Sequence, residues 1–182
     1  MRGGSCCTDI DPDFLNDFYC SVARNLTKDL KPVCDPLSYL SDVNVSSESF
    51  HLSPTTPHEV ASVIRCMKNR RASGDDGISL LVLEKLPVDA LLVLSDVINI
   101  SFESGYFPAC LKTAKIIPLH KGGDHSDPSN FRPISLLSTL SKLIERLVRE
   151  RLLNFLATHN ILNQSQFGFL SGRNTPDAMF NF

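Results

Sequence analysis

Residues 112–137, KTAKIIPLHKGGDHSDPSNFRPISLL, restrict the possible folds of this chain more than any other stretch. The arm 113–120 carries the β-branched Thr113, Ile116 and Ile117, and the arm 131–137 carries Phe131 and Ile134, so both read as strands. Between them, residues 121–130 hold two glycines, two aspartates, two serines, a proline and an asparagine, which is loop chemistry. The simplest structure is a β-hairpin over about 113–137 whose ten-residue tip is expected to be mobile. Lys121 stands where the first arm ends and Arg132 where the second begins. Two cations held near one another by a hairpin suit the oxygens of a phosphate.

The flanking sequence is mostly helical in period. Phe14, Phe18, Val22 and Leu26 recur every four residues with Leu15 beside them, predicting a helix over 13–30, and residues 31–55 read as a Ser-, Pro- and Asp-rich connector with one short strand near Phe50. Thr56 to Glu59 is a capping box with Pro57 at the first helical position, opening a helix to about Asn69 with Val60, Val63, Ile64 and Met67 on its apolar face. Helices are also expected over 79–86 and 88–105. The second has Leu91, Leu94, Val97, Ile98 and Phe102 inward and Gly105 as its C-cap. The longest pattern, 139–159, turns Leu140, Leu143, Ile144, Leu147, Leu152, Phe155 and Leu156 inward and offers Glu145–Arg149 as an i, i+4 pair. The fold class is α+β, a hairpin packed with helices.

The net charge of −2 conceals a segmented distribution: residues 1–60 sum to −5, 61–71 to +4, 72–111 to −5 and 112–151 to +4. Basic charge concentrated on two segments fits a nucleic-acid surface, although solvated faces on an acidic protein account for it equally well. The six cysteines form no C-x-x-C pair, which argues against structural zinc. There is neither a signal peptide nor a run of the roughly 20 apolar residues needed to span a bilayer. The expected location is therefore cytoplasmic or nuclear, without a membrane partner. No histidine lies near a recognisable nucleophile, so a hydrolase has little support. Asp75 and Asp76, inside ASGDDGI, invite a metal reading, but adjacent side chains in a turn diverge, and Asp before Gly is ordinary turn chemistry.

Four strings taken together resemble the reverse transcriptases of non-LTR retrotransposons: ASGDDGI at 72–78, IIPLHKGGD with NFRPISLL across the hairpin, SKLIER at 141–146, and QFGF at 166–169 with GRNTPDA at 172–178. The resemblance is specific from about Thr56 onward. It implies that residues 56–182 are the fingers and the very start of the palm of such an enzyme, preceded by an acidic connector over 1–55. It further implies that Lys121 and Arg132 bind the incoming deoxynucleoside triphosphate, and that Gln166, Phe167, Gly168, Gly172 and Arg173 lie beside the RNA template. The family usually has proline where Asp75 stands and serine where Asn174 stands.

The parent activity implied is RNA-templated DNA synthesis on an RNA template and a DNA primer, with Mg²⁺ in the full-length enzyme. The carboxylates that hold those ions in the family follow the GRNTPDA string by some tens of residues. The palm catalytic core is therefore expected to be missing from this chain, which should carry no catalytic residue or cofactor of its own and be inactive alone. A non-catalytic RNA-binding module and a decayed open reading frame remain alternatives.

Overall fold

The computed structural model describes residues 10–30, 35, 38, 48–68, 72–163, 165–170 and 172–180. Among these residues lie six α-helices and one two-stranded antiparallel sheet, an α+β arrangement. The helices are α1 (Pro12–Thr27), α2 (Pro57–Cys66), α3 (Leu80–Leu83), α4 (Val88–Ser104), α5 (Thr139–Thr158) and α6 (Thr175–Phe180), and the strands are β1 (Ala114–His120) and β2 (Phe131–Leu137). No helix among them is long and apolar enough to cross a membrane.

The chain divides into two compact units. The first is built from Met1–Val45, Met67–Leu86 and Phe107–Lys142, the second from Ser46–Cys66, Pro87–Tyr106 and Leu143–Phe182.

In the first unit, α1 is capped by Asp11, whose carboxylate accepts the Phe14 N–H at 3.1 Å, with Pro12 opening the helix. The expected face of α1 is covered only in part: Leu15 is buried and Phe18 and Val22 are half-buried, whereas Phe14 and Leu26 are exposed. Helix α3 is a single turn and not the longer helix predicted over 79–86. Pro87 disfavours helical backbone at Leu86, and Pro87 itself becomes the N-cap residue of α4. Leu80, Leu83 and Phe131 are buried in this unit, and the hairpin is present with the expected ten-residue tip.

The hairpin register pairs Leu119 with Arg132, His120 with Phe131, and Pro118 with Pro133. The Lys121 N–H donates to the Asn130 carbonyl at 2.9 Å, so 121 and 130 form a hydrogen-bonded pair beyond the last ladder residues. Antiparallel alternation then makes 118 and 133 a non-hydrogen-bonded pair, where a missing N–H costs the ladder nothing. The same two prolines deny a donor to any further strand at both edges.

In the second unit, Val60, Val63 and Ile64 of α2, Ile98 of α4, and Leu143, Ile144 and Leu147 of α5 are buried. Helix α2 ends at Cys66, one turn before the predicted terminus, and Asn69, Arg70 and Arg71 lie outside the described residues. The predicted strand near Phe50 does not form: this backbone is irregular, and the Phe50 ring packs on Phe155 with centroids 5.5 Å apart. Of the face predicted for α4 only Ile98 is fully buried, and Val97 is exposed. Leu152 of α5 is likewise exposed. Gly105 closes α4 in the left-handed conformation, φ 65°, as its position after the last apolar turn predicts. Arg146 and Glu150 form an i, i+4 ion pair on α5 at 3.6 Å.

Candidate functional site

Side chains on a strand alternate between faces, so Arg132 shares a face with its cross-strand neighbour Leu119 and with Ile117 and Ile134. Continuing that alternation by one hydrogen-bonded pair puts Lys121 on the same face. Because Lys121 opposes Asn130, Lys121 and Arg132 are diagonal neighbours, with backbones about 7–8 Å apart. Both residues are exposed, and among the described residues neither forms an ion pair. A point charge and a planar guanidinium at this spacing can grip different oxygens of one polyphosphate.

The tip between them is held by local hydrogen bonds. Asp124 accepts the Ser126 N–H at 2.9 Å, and Asp127 accepts both the N–H and the hydroxyl of Ser129 at 2.8 Å, capping a 3₁₀ turn over Pro128–Asn130. The Asn130 amide donates back to the Asp124 carbonyl at 3.0 Å. Hydrogen bonds from the Ser126 backbone and side chain, with a smaller attraction from His125, hold the Asp124 carboxyl below its usual range. The two acids of the tip are thus engaged with serines. His120 stacks on His125 at 3.8 Å and lies 5.0 Å from the ring of the buried Phe131, closing the base of the tip. The polar periodicity of DHSDPSN contained this order, as two Asx turns in succession, although composition alone reads simply as loop.

Gly123 is the sensitive point. Its φ is 94°, and a Cβ there would lie 2.7 Å from the Asn130 amide nitrogen. Gly123→Ala is expected to expel the Asn130 side chain and raise amide exchange across residues 121–130 at least about tenfold, leaving the ladder of residues 114–119 protected. Unchanged exchange in the tip would contradict this.

The five residues of the second predicted site lie together in one loop of the second unit. The Gln166 N–H donates to the Asn163 carbonyl at 3.0 Å, and Arg173 turns back on the same loop, donating to the Gln166 carbonyl at 3.1 Å with its guanidinium 5.3 Å from the centre of the Phe167 ring. Gly168 and Gly172 face open space, and Gly172 has φ 78°. Asn174 and Asp177 bond reciprocally, each side chain accepting the other's N–H at 2.9 and 3.0 Å, and so cap α6. Asp177 is a capping residue here.

The ASGDDGI string has a role that its sequence did not disclose. It forms a tight turn, with the Gly77 N–H bonded to the Gly74 carbonyl at 3.3 Å and Gly77 at φ 67°. The turn is fastened to the end of β2: the Ser138 hydroxyl donates to Asp76 at 2.5 Å, and the Thr139 hydroxyl donates to the Ile78 carbonyl at 2.7 Å. Gly74 packs against the Leu137–Ser138 backbone so closely that a Cβ would lie 2.6 Å from the Ser138 nitrogen. The turn therefore braces the root of the hairpin that carries the two cations.

Comparison with known proteins gives these observations a family. The chain is 37% identical over 132 residues to the probable RNA-directed DNA polymerase from transposon BS of Drosophila melanogaster. It is 36% identical over 132 residues to the RNA-directed DNA polymerase from mobile element jockey of the same organism. This segment is homologous to the reverse transcriptases of non-LTR retrotransposons. A putative 115 kDa protein in the type-1 retrotransposable element R1DM, also of Drosophila melanogaster, matches at 28% over 97% of this chain. The two polymerase matches cover 72% of this chain but only 14–15% of the relatives, so the chain spans a small part of their length. No protein-family model matches it.

Among the described residues, no three His, Cys, Asp or Glu side chains converge as ligands. Asp76 in particular is occupied by the Ser138 hydroxyl and by the Ile78 N–H at 3.0 Å.

Proposed function

We propose that residues 56–182 form the fingers and the start of the palm of an RNA-directed DNA polymerase that acts in retrotransposition, with residues 1–55 as an acidic connector. In this reading the parent activity is RNA-templated DNA synthesis from a DNA primer. Lys121 and Arg132 hold the triphosphate of the incoming nucleotide, and the loop carrying Gln166, Phe167, Gly168, Gly172 and Arg173 lies against the template. The observation that carries the reading is the pair of exposed cations on one face of a braced hairpin, in a segment homologous to named RNA-directed DNA polymerases.

The chemistry asked of this segment is positioning. Charged hydrogen bonds to phosphate oxygens fix the nucleotide and offset its negative charge before reaction. Mg²⁺, when bound elsewhere in the parent enzyme, supplies the stabilisation of attacking and leaving oxygens that phosphoryl transfer requires. Because every role assigned to this segment in the present reading is one of positioning, the 182-residue polypeptide assayed alone with primed RNA, deoxynucleotides and Mg²⁺ is expected to give no extension above buffer.

The nucleotide assignment is tested by grafting the hairpin segment into a complete relative. Arg132→Ala should raise the apparent KM for deoxynucleotide about tenfold or more, the loss of one charged hydrogen bond of about 1.5 kcal/mol or greater. Lys115→Ala, at the opposite end of the same hairpin face, serves as the control and should change it little. Equal, small effects of both substitutions would refute the assignment.

A further inference from the structure

Helix α4 distributes its side chains in an unusual way. Its inward face buries Ser95 at 2% exposure and Ser101 at 8%, with Ile98 between them. These serines are satisfied close by: Ser95 Oγ donates to the Leu92 carbonyl at 2.8 Å and Ser101 Oγ to the Tyr106 carbonyl at 2.6 Å. Asn99 exchanges two hydrogen bonds with the backbone of Thr55, at 2.7 and 3.0 Å. The aliphatic residues point outward, with Val93 63%, Val97 49% and Ile100 63% exposed. At 100° per residue, positions 93, 97 and 100 form one continuous stripe.

Asp89, Asp96 and Glu103, all exposed, recur every seven residues and lie along the edge of that stripe, with the exposed Leu92 on their far side. Scattered exposed aliphatics need no explanation, whereas this stripe is unbroken and bordered by charge of a single sign.

We propose that the outward face of α4 docks a basic amphipathic α-helix of a polypeptide partner. Such a helix would set its apolar residues on Val93, Val97 and Ile100 and its Lys or Arg residues against Asp89, Asp96 and Glu103. The length of α4, 17 residues, offers a seat for four to five turns. Charge decides between occupants. Two copies of α4 packed on each other through a twofold axis would bring acidic stripes into the same interface, and a nucleic acid or an anionic membrane would meet three carboxylates. A cationic helix gains from the same charges.

The test uses the 182-residue chain and a fluorescein-labelled synthetic helix of about 18 Leu and Lys residues, with leucines at 3–4-residue spacing. The comparison peptide has the same composition shuffled so that no apolar face exists. Fluorescence anisotropy should show the patterned helix binding at least about tenfold more tightly than the shuffled one. Both Val97→Ser/Ile100→Ser and Asp96→Lys/Glu103→Lys should weaken it by about tenfold, whereas Leu152→Ser on α5 should not. The substituted positions are exposed, and an unchanged circular dichroism spectrum verifies the fold of each variant.

Absence of binding, equal binding of the shuffled peptide, or equal binding by the α4 variants would overturn the proposal. So would concentration-dependent dimerisation that Ile100→Ser abolishes, since the occupant would then be a second copy. Displacement of the helix by RNA that competes for α4 would overturn it equally.

Discussion

Arg151→Ala is expected to destabilise the packing of α2 on α5 by about 2–4 kcal/mol, a large fraction of the stability of a domain this size. All five N–H donors of this guanidinium are used. Nε donates to the Ser53 carbonyl at 2.8 Å, Nη1 to Glu59 at 2.9 Å and to the Leu147 carbonyl at 3.1 Å, and Nη2 to Glu59 at 3.0 Å and to the Pro54 carbonyl at 3.1 Å. The group also lies 5.5 Å from the centre of the Phe102 ring. Its side chain is 11% exposed and that of Glu59 is 34% exposed, so water partly screens the pair and its loss costs less than that of a fully buried one. Removing the guanidinium leaves the Glu59 carboxylate with the Thr55 hydroxyl but without its countercharge, and returns the Ser53 and Pro54 carbonyls to water. Lysine, with three donors and no planar fork, should recover only part of the loss. Urea denaturation followed by amide exchange in α2 and α5 measures this, and a change below about 0.5 kcal/mol would rule out the clamp.

The same cluster predicts a pH dependence. Burial pushes the Glu59 carboxyl upward, but hydrogen bonds from Arg151 and Thr55, the Arg151 charge and the Thr56 backbone outweigh it, leaving Glu59 below its usual value of 4.5. A carboxyl with a lowered folded-state pKa contributes stability above the unfolded value and loses it as pH falls through the folded one. The contribution should therefore be intact at neutral pH and decline below about pH 4.5. Glu59→Gln should be less stable than wild type at pH 7 and show a smaller loss between about pH 5 and pH 3.

Gly74→Ala should cost about 2–3 kcal/mol and loosen the root of the hairpin. The added methyl would meet the Ser138 nitrogen at 2.6 Å and the Leu137 carbonyl carbon at 2.8 Å, both backbone atoms that no rotamer change can move aside. Relief requires the turn to separate from β2, which breaks the Ser138–Asp76 and Thr139–Ile78 hydrogen bonds together. Gly77→Ala supplies the contrast: nothing lies within 4 Å of its Cβ, and its cost is the left-handed backbone alone, about 1–2 kcal/mol. Amide exchange should rise at residues 137–140 for the first variant and stay near wild type for the second. The reverse order would show that backbone conformation, and not close approach, makes Gly74 necessary.

Elements encoded by neighbouring residues were legible in the chain. The β-branched and aromatic residues of two arms around a polar tip gave the hairpin, Thr56 and Pro57 the start of α2, and Gly105 the end of α4, because strand propensity, turn chemistry and capping act over a few residues. That Lys121 and Arg132 lie near one another was legible for the same reason, since a hairpin brings its two bends together, while the register that puts them on one face came from the structure.

Sequence period determined that α4 is a helix, but only the tertiary structure decided which face is inside, burying serines that bond to nearby carbonyls and leaving valines and an isoleucine in water. It also decided what Arg151 and Gly74 do. Arg151 meets Ser53 and Glu59 more than 90 positions earlier in the chain, and Gly74 meets Ser138 more than 60 positions later. Local propensity fixes backbone conformation over a few residues, whereas these contacts depend on which surfaces are brought within a few ångströms when the chain condenses, a geometry that no window of neighbouring residues contains.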